Sequence, residues 1–587
     1  MTESQDTNGN DGGASFLADR SIDDYRPIRV VVIGAGISGI LASIRFPQRI
    51  PNLSLTVYEK NEDIGGTWFE NRYPGCACDI PAHVYQATFS PNTEWSQFYA
   101  SSQEIHGYWK RVARKYDCMK YIKLRQQVAG AVWDSKESKW TLKIRDLVQN
   151  SEYTDKCDVL ISATGALNSW NWPDIPGLHK FRGKLLHSAA WDESYDYKGQ
   201  RVAVIGNGSS GIQILPAMLP KVSHIDHYIR GKTWLSPTFA RAMIDERRGG
   251  IDNFTFTDEE KAAFKADKSV YQEFRKNIEL ELQSVHGSTI RDTPEQLGAV
   301  GLFTEAMKKR LEKKPELAET LIPSFPPICR RLTPGPGYLE ALTDDKVSVI
   351  TQGIVQVDET GIQTQDGKHH PVDAIVCATG FDTSFMPRFP IIGSQGQSLA
   401  ERWEAVPETY LSMSTDGFPN FFVSLGPNGS LGSGNLLLLI EKAMDYMTMC
   451  VAKMQRDNIV AMAPQKQAVQ RFTKYCDAYF DKTVFTLHCR SWYKGGTYDG
   501  RISALWPGSS LHAMQVFAHP RWEDFEYRYG KGSVSSWIGD GWTEQEKDRA
   551  VNVDYLDDDQ IDFPTVPLPS PAPTPTSDAT PLEKSVL

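Results

Sequence analysis

A chain of 587 residues is too long to close around one hydrophobic core, so two or three domains are expected. With 40% hydrophobic residues, 23% charged residues and a formal charge of -10, it offers no basic field for nucleic acid, and a large enzyme with small-molecule partners is expected. The most apolar run, "LLLLI" at residues 436–440, falls far short of the roughly 20 residues of a membrane span and reads as a buried helix. Nine scattered cysteines, odd in number, and an opening without a charged region followed by an apolar one argue against a secreted disulfide framework. Reduced thiols and a cytoplasmic location are the expectation.

Residues 1–24 are polar, glycine-rich and aperiodic, and read as a disordered leader. In "IRVVVIGAGISGI", the β-branched Val30, Val31, Val32 and Ile33 run into Gly34, Gly36 and Gly39. This spacing provides a tight turn, a backbone that can approach a pyrophosphate, and a helix that packs closely on its strand. A second strand, "LSLTVYEK", ends at Glu59, 25 residues after Gly34, where a carboxylate can accept hydrogen bonds from a ribose hydroxyl. Cys76 and Cys78 form the only close cysteine pair, and a single intervening residue is not the spacing of a disulfide reductase.

The apolar run "CDVLISATG" then reaches Gly165, and residues 181–192, "FRGKLLHSAAWD", read as neither a strand nor an ordinary helix. "QRVAVIGNGSSGIQI" repeats the phosphate-cradling device with Gly206, Gly208 and Gly211, with Ser209 and Ser210 opening its helix. Where the first unit ends on Glu59, this one ends on Arg230 and Lys232, which suit a 2′-phosphate and hence NADPH over NADH. Solvated surface cations are the competing reading.

Residues 240–327 turn to Glu, Lys, Ala and Leu: Thr257 and Glu260 have capping-box spacing, and Tyr271, Phe274, Ile278 and Leu282 recur at helical intervals, as a core-facing stripe would. A second strand-to-Ala-Thr-Gly segment, "VDAIVCATG", ends at Gly380. The expected class is therefore α/β, with two Rossmann-like dinucleotide domains and a helical insertion. The first dinucleotide domain takes residues 25–168 and returns over 383–550; the second takes 169–239 and 328–382, interrupted by the insertion at 240–327. Residues 551–587 alternate proline with small residues and read as a disordered spacer. Trp403, Tyr410 and Trp506 suggest a large apolar ligand, although aromatic residues fill cores as readily.

The arrangement resembles flavoproteins that hold FAD in the first site and NADPH in the second. Phe181, Gly183, His187 and Trp191 in "FRGKLLHSAAWD" closely resemble the fingerprint of the type I, or class B, Baeyer-Villiger monooxygenases, with Asp192 where many members have proline. "GGTWFENRYPGCACDIPAHVYQ" resembles the family's flavin-side segment, which implies that Gly66, Thr67, Trp68, Tyr73, Asp79 and Tyr85 lie about the flavin. "ICRRLTPGPGYLEAL" resembles the segment of the catalytic arginine, implying Arg331 in that role and Arg330 at the neighbouring phosphate-binding position; "CRSWYKGG" implies Trp492 toward the nicotinamide cofactor. The full set looks most like fungal members from natural-product pathways.

What the resemblance implies is oxygen insertion beside a ketone carbonyl, through a peroxyflavin, to give an ester or lactone. Arg331 would present donors to anionic intermediates and Asp79 would hold that guanidinium. No metal is implied, and a monomer or weak oligomer is expected. Two rivals remain: a class B enzyme oxygenating nitrogen or sulfur, and a redox-sensing scaffold that acts through its proline-rich tail. His187 and Trp191 are assigned to a hinge rather than to substrate.

Overall fold

The computed structural model describes residues 17–239, 253–532 and 534–557. Residues 1–16 of the expected leader, 240–252 of the expected insertion and 558–587 of the expected tail lie outside the described residues.

β1 (Ile28–Ile33) keeps Val30, Val31 and Val32 fully buried, as a parallel strand covered on both faces requires. It leads through α1 (Ile37–Arg49) to β2 (Leu53–Tyr58), its parallel neighbour. After α2 (Thr67–Glu70) and α3 (Ser102–Lys115), β3 (Ile122–Lys123) extends that sheet. β4 (Gln126–Asp134), β5 (Lys139–Asp146) and β6 (Ser151–Cys157) then form an antiparallel meander, and β7 (Val159–Ser162) returns beside β1.

The second unit begins with β8 (Lys184–His187), β9 (Arg201–Ile205), α4 (Ser209–Met218) and β10 (His224–Tyr228). It resumes at β11 (Val347–Ile350), passes a small antiparallel sheet of β12 (Ile354–Val357), β13 (Gly361–Thr364) and β14 (His369–Pro371), and ends on β15 (Ala374–Cys377). β16 (Ile391–Ile392) then joins the meander and β17 (Phe421–Val423) the edge of the first sheet. The two large sheets have orders β17-β7-β1-β2-β3 and β11-β10-β9-β15-β8, so the chain leaves the first sheet after β7 and comes back to it at β17.

Residues 181–192 depart from the sequence reading. Lys184–His187 is a strand, parallel to β15 at the edge of the second sheet. Four residues are too few to show a period, and only register with β15 defines them. The leader expectation also needs correcting for residues 17–24: Ser21 is fully buried, and the Ile22 amide donates to the Trp542 carbonyl at 3.1 Å, so this segment docks against residues 540–544.

Between β10 and β11 the insertion supplies helices Asp258–Ala266, Lys268–Ser284 and Pro294–Arg310, the first closed by the Thr257–Glu260 capping box. Tyr271, Phe274, Ile278 and Leu282 pack with Val84, Phe98 and Tyr99 of the first unit, whereas Ala299, Phe303 and Met307 enter the core of the second. The insertion therefore clamps both units. Residues 436–440 open the 21-residue helix Leu436–Arg456, with Leu437, Leu439 and Ile440 buried. Among the described residues no helix is long and apolar enough to cross a membrane.

Candidate active site

The two glycine turns share one geometry. Gly34 has φ +105°, and a β-carbon there would stand 2.6 Å from the Ala163 carbonyl oxygen; Gly206 has φ +109° and the same conflict with Ala378, at 2.5 Å. Both opposing residues belong to the Ala-Thr-Gly segments, which explains why those segments recur. The third glycines are equally constrained: a β-carbon on Gly39 or Gly211 would lie 2.0 Å from the carbonyl oxygen of Gly34 or Gly206. Gly36 faces Gly66, whereas Gly208 faces open space. Such bare backbone at a helix N-terminus leaves amides free for a pyrophosphate.

Side chains then distinguish the sites. Glu59, 4% exposed, accepts from the amides of Ala35 (2.7 Å) and Asn61 (2.8 Å). Burial pushes its pKa up while those amides oppose the shift. A carboxylate has about four acceptor positions, so two remain for a ribose diol. Thr67 is exposed at the start of α2, and Trp68 is buried edge-on to Tyr85 at 5.6 Å. Among the described residues the indole N–H of Trp68 has no well-formed hydrogen bond, Tyr85 being the side chain beside it, so an anionic or carbonyl-bearing cofactor could take it up. The glycine cradle, Glu59 and Trp68 together fit an adenine dinucleotide.

At the second site, the hydroxyls of Ser209 and Thr333 lie 3.2 Å apart, and Ser210 follows in the first turn of α4. Arg230 is exposed, and Arg330 donates to the Lys232 carbonyl at 2.9 Å. The Lys232 ammonium is engaged elsewhere, donating to the Glu319 carbonyl at 2.6 Å. Arg490, which sequence reasoning did not single out, acts on both Arg230 and Arg330: burial chiefly, and these like charges secondarily, lower their pKa values.

Between the cradles, Arg331 and Asp79 form a two-pronged pair, Nε to Oδ2 at 3.0 Å and Nη2 to Oδ1 at 2.5 Å. The Arg331 side chain remains 38% exposed against 13% for Asp79. The Asp79 charge holds the guanidinium above its ordinary pKa, against the opposing effect of burial. Trp492 packs against the buried Tyr493, their rings 4.8 Å apart. Tyr73 donates to Gln213 of α4 at 2.8 Å, and Gln213 donates in turn to the Ala77 carbonyl at 2.9 Å. This joins the Asp79 segment to the second unit, a link made by a glutamine that carried no sequence signal.

The cysteines require a correction. Cys329 and Cys489 form a disulfide, 160 residues apart in the chain, where reduced thiols were expected throughout. Cys76 and Cys78 are free and buried, and burial raises both thiol pKa values, which disfavours a dithiol reductase. Of the two readings of Trp403, Tyr410 and Trp506 the core is where all three lie, Tyr410 donating to Asp524 at 2.7 Å and Trp403 also lining a small cavity with Phe385 and Met386.

His187 stacks on Trp170 at 4.1 Å, its Nε2 lies 3.3 Å from the Thr379 hydroxyl, and burial lowers its pKa to about 4. Gly183 lies where a β-carbon would meet the Asp373 carbonyl at 2.4 Å and the Phe181 ring at 2.5 Å. Trp191 lines a cleft of about 320 Å³ shared with Asn71, Arg72, Trp170 and Phe381, and Arg72 pairs with Glu193 across it at 3.2 Å. The stretch thus occupies the seam between the units.

Residues 27–235 match the model of the flavin-binding monooxygenase-like family. The chain is 36% identical to the FAD-binding monooxygenase moxY of Dothistroma septosporum over 529 residues, 89% of this chain and 83% of that one. It is 32% identical to a Baeyer-Villiger monooxygenase of Streptomyces coelicolor, covering 83% and 90% of the two chains. Among solved structures, closed cyclohexanone monooxygenase superposes with a TM-score of 0.75 at 26% identity, and oxidized steroid monooxygenase bound to NADP with 0.71 at 27%; each match covers 86% of this chain and 100% of the other.

Proposed function

The chain belongs to the class B flavin monooxygenases, the family of the Baeyer-Villiger enzymes, and as an FAD- and NADPH-dependent monooxygenase we propose that it inserts one oxygen atom of O2 beside a ketone carbonyl to give an ester or lactone. We place Gly34, Gly36, Gly39, Glu59 and Trp68 about FAD, and Gly206, Gly208, Gly211, Arg230 and Arg330 about NADPH. Bound FAD, reduced by NADPH, supplies the two-electron activation of oxygen.

The Arg331–Asp79 pair carries the reading. Arg331 spends two of its five N–H donors on Asp79 and keeps three for a reacting oxygen. A guanidinium is charged at any working pH, and Asp79 favours that form further, so Arg331 stabilises negative charge on oxygen throughout. Asp79 also prevents the cation from standing uncompensated in the site. Tyr73, Gln213 and Ala77 keep the Asp79 segment in register with α4, so domain position and arginine position are linked. With Trp403, Tyr410 and Trp506 in the core, a bulky natural-product ketone rests on the likeness to fungal enzymes alone.

Arg331→Ala tests the assignment. Ketone oxygenation should fall about 100- to 1000-fold, the loss typical of one oxyanion donor, while bound FAD is retained. Undiminished lactone or ester formation would remove Arg331 from the reaction. Loss of ketone oxidation with sulfide oxidation intact would confine its role to the carbonyl chemistry.

A further inference from the structure

We propose that the Cys329–Cys489 disulfide is a positioning element that brings Arg490 beside Arg230 and Arg330, completing a three-guanidinium cradle for the 2′-phosphate of NADPH. This rests on the reading of the second glycine cradle as the NADPH site.

The covalent geometry comes first. Cys329 immediately precedes Arg330 and Arg331; Cys489 immediately precedes Arg490 and, two residues on, Trp492. Both sulfurs are buried and the two α-carbons are 6.4 Å apart, so the bond sets residues 330 and 490 side by side. Arg330 reaches the turn after β10, where its Nη1 meets the Lys232 carbonyl and Arg230 stands two residues earlier. Three segments remote in sequence thus deliver three guanidinium groups to one place.

The loop beyond Cys489 is built to present Arg490. Its Nε donates to the Gly496 carbonyl at 2.7 Å, which fixes the stem and leaves the terminal nitrogens. Lys494, 3% exposed, turns inward to the carbonyls of Leu487 (2.8 Å) and Tyr498, closing the loop on itself. His488 meets Asp499 at 2.9 Å and stacks on Tyr498 at 4.8 Å. Tyr493 anchors the loop in the core, its carbonyl accepting from the amides of Ser503 (3.0 Å) and Ala504 (3.3 Å), and the disulfide adds a covalent tie to the Arg330 segment.

The charge balance calls for an anion. Among the described residues, the groups acting on Arg230 and Arg330 are each other, Arg490 and Tyr498, and no carboxylate is among them. Three like charges brought together favour a multiply charged anion over water as their partner, and arginine forks match phosphate oxygens. Lys232 points away to Glu319, so Arg490 takes the place the sequence assigned to that lysine. Without the disulfide, Tyr493 would still anchor the loop in the core, but the direct tie between residues 329 and 489 that sets Arg490 against the repulsion of Arg330 would be gone.

The test uses the FAD-loaded protein and calorimetric titration with two probes, adenosine 2′,5′-bisphosphate and adenosine 5′-monophosphate. Wild type should prefer the bisphosphate. Arg490→Gln should weaken bisphosphate binding about 10- to 100-fold, as expected for a lost charge-assisted bond, and leave the monophosphate within twofold; Arg490→Lys should recover part of the loss. The Cys329→Ser/Cys489→Ser variant should shift in the same direction. To separate loss of the bond from loss of the fold, the same titration is repeated on wild type treated with dithiothreitol. There one dithiol passes two electrons and two protons to the disulfide and becomes a cyclic disulfide, and denatured thiol counts should rise from seven to nine. Full bisphosphate affinity in Arg490→Gln, or in wild-type protein with nine thiols, overturns the proposal while the wild-type preference for the bisphosphate upholds the NADPH site. No preference in wild type would overturn the NADPH site itself, and the proposal with it.

Discussion

The turn at Gly34 and the turn at Gly206 repeat the same contacts: a first glycine at positive φ, an Ala-Thr-Gly carbonyl opposite, and the third glycine against the first. They part company at the end of the second strand. The first presents Glu59, buried and accepting from two backbone amides, while the second presents a group of arginines with no carboxylate among them. Backbone sterics make both cradles able to approach a pyrophosphate, and one side-chain position decides what is recognised beyond it. The cradle says that a dinucleotide binds; the residue about 25 positions later says which.

The strongest way to break this comparison is to fill one cradle at a time. A methyl group at Gly39 would stand 2.0 Å from the Gly34 carbonyl oxygen, and at Gly211 the same distance from that of Gly206. Since the obstacle is backbone, helix and strand must separate. Gly39→Ala should yield protein without FAD, whereas Gly211→Ala should keep FAD and lose reduction by NADPH. Flavin absorbance after purification and anaerobic reduction measure the two. Loss of FAD from both variants would mean that the cradles are one cooperative unit rather than two separable sites.

A smaller effect sharpens the contrast at the strand ends. Arg330→Gln removes a cation from the second site and leaves its glycines intact. The KM for NADPH should rise about 10- to 100-fold, the worth of one charge-assisted contact, with little change for NADH. Equal effects on the two cofactors would place Arg330 on a part of the nucleotide they share.

The features legible in the sequence are those whose determinants are local. Gly34, Gly206 and Glu59 follow from turn geometry within one βαβ unit, and Tyr271, Phe274, Ile278 and Leu282 declare their buried face by period. Arg331 and Asp79 are 252 positions apart, and only likeness to known enzymes suggested the pair that the structure brings together. The disulfide gave no signal, because its partners are 160 residues apart and the seven free cysteines are buried and scattered just as they are. Gln213, Arg490 and β8 escaped for a related reason: each is defined by a partner remote in the sequence. Trp403, Tyr410 and Trp506 left two readings open because large aromatic rings suit a core and a ligand pocket equally well, and burial decides for the core.

The seam between the cradles gives the smallest expected effect, and it is a matter of pH. Burial lowers the pKa of His187 to about 4 from 6.5, so the folded protein holds it neutral while an unfolded chain would protonate it. The stability this contributes is therefore fully present above pH 6.5 and is lost as pH falls through 4. His83, His227, His286 and His512 are displaced in the same direction, so removing one group should make the decline shallower by at most one proton. His187→Gln should show that shallower slope in chemical denaturation between pH 6.5 and 4, with its midpoint at pH 8 lowered by the lost stack on Trp170. An unchanged slope would mean that His187 titrates freely in solution and does not lie stacked in the seam. A neutral, stacked imidazole also bears on function, since a group that gains its proton only near pH 4 carries no charge to a reacting oxygen at neutral pH. On the proposed reading the charge at the reaction centre falls to Arg331, and His187 joins Trp170 to the Thr379 segment beside the second cradle.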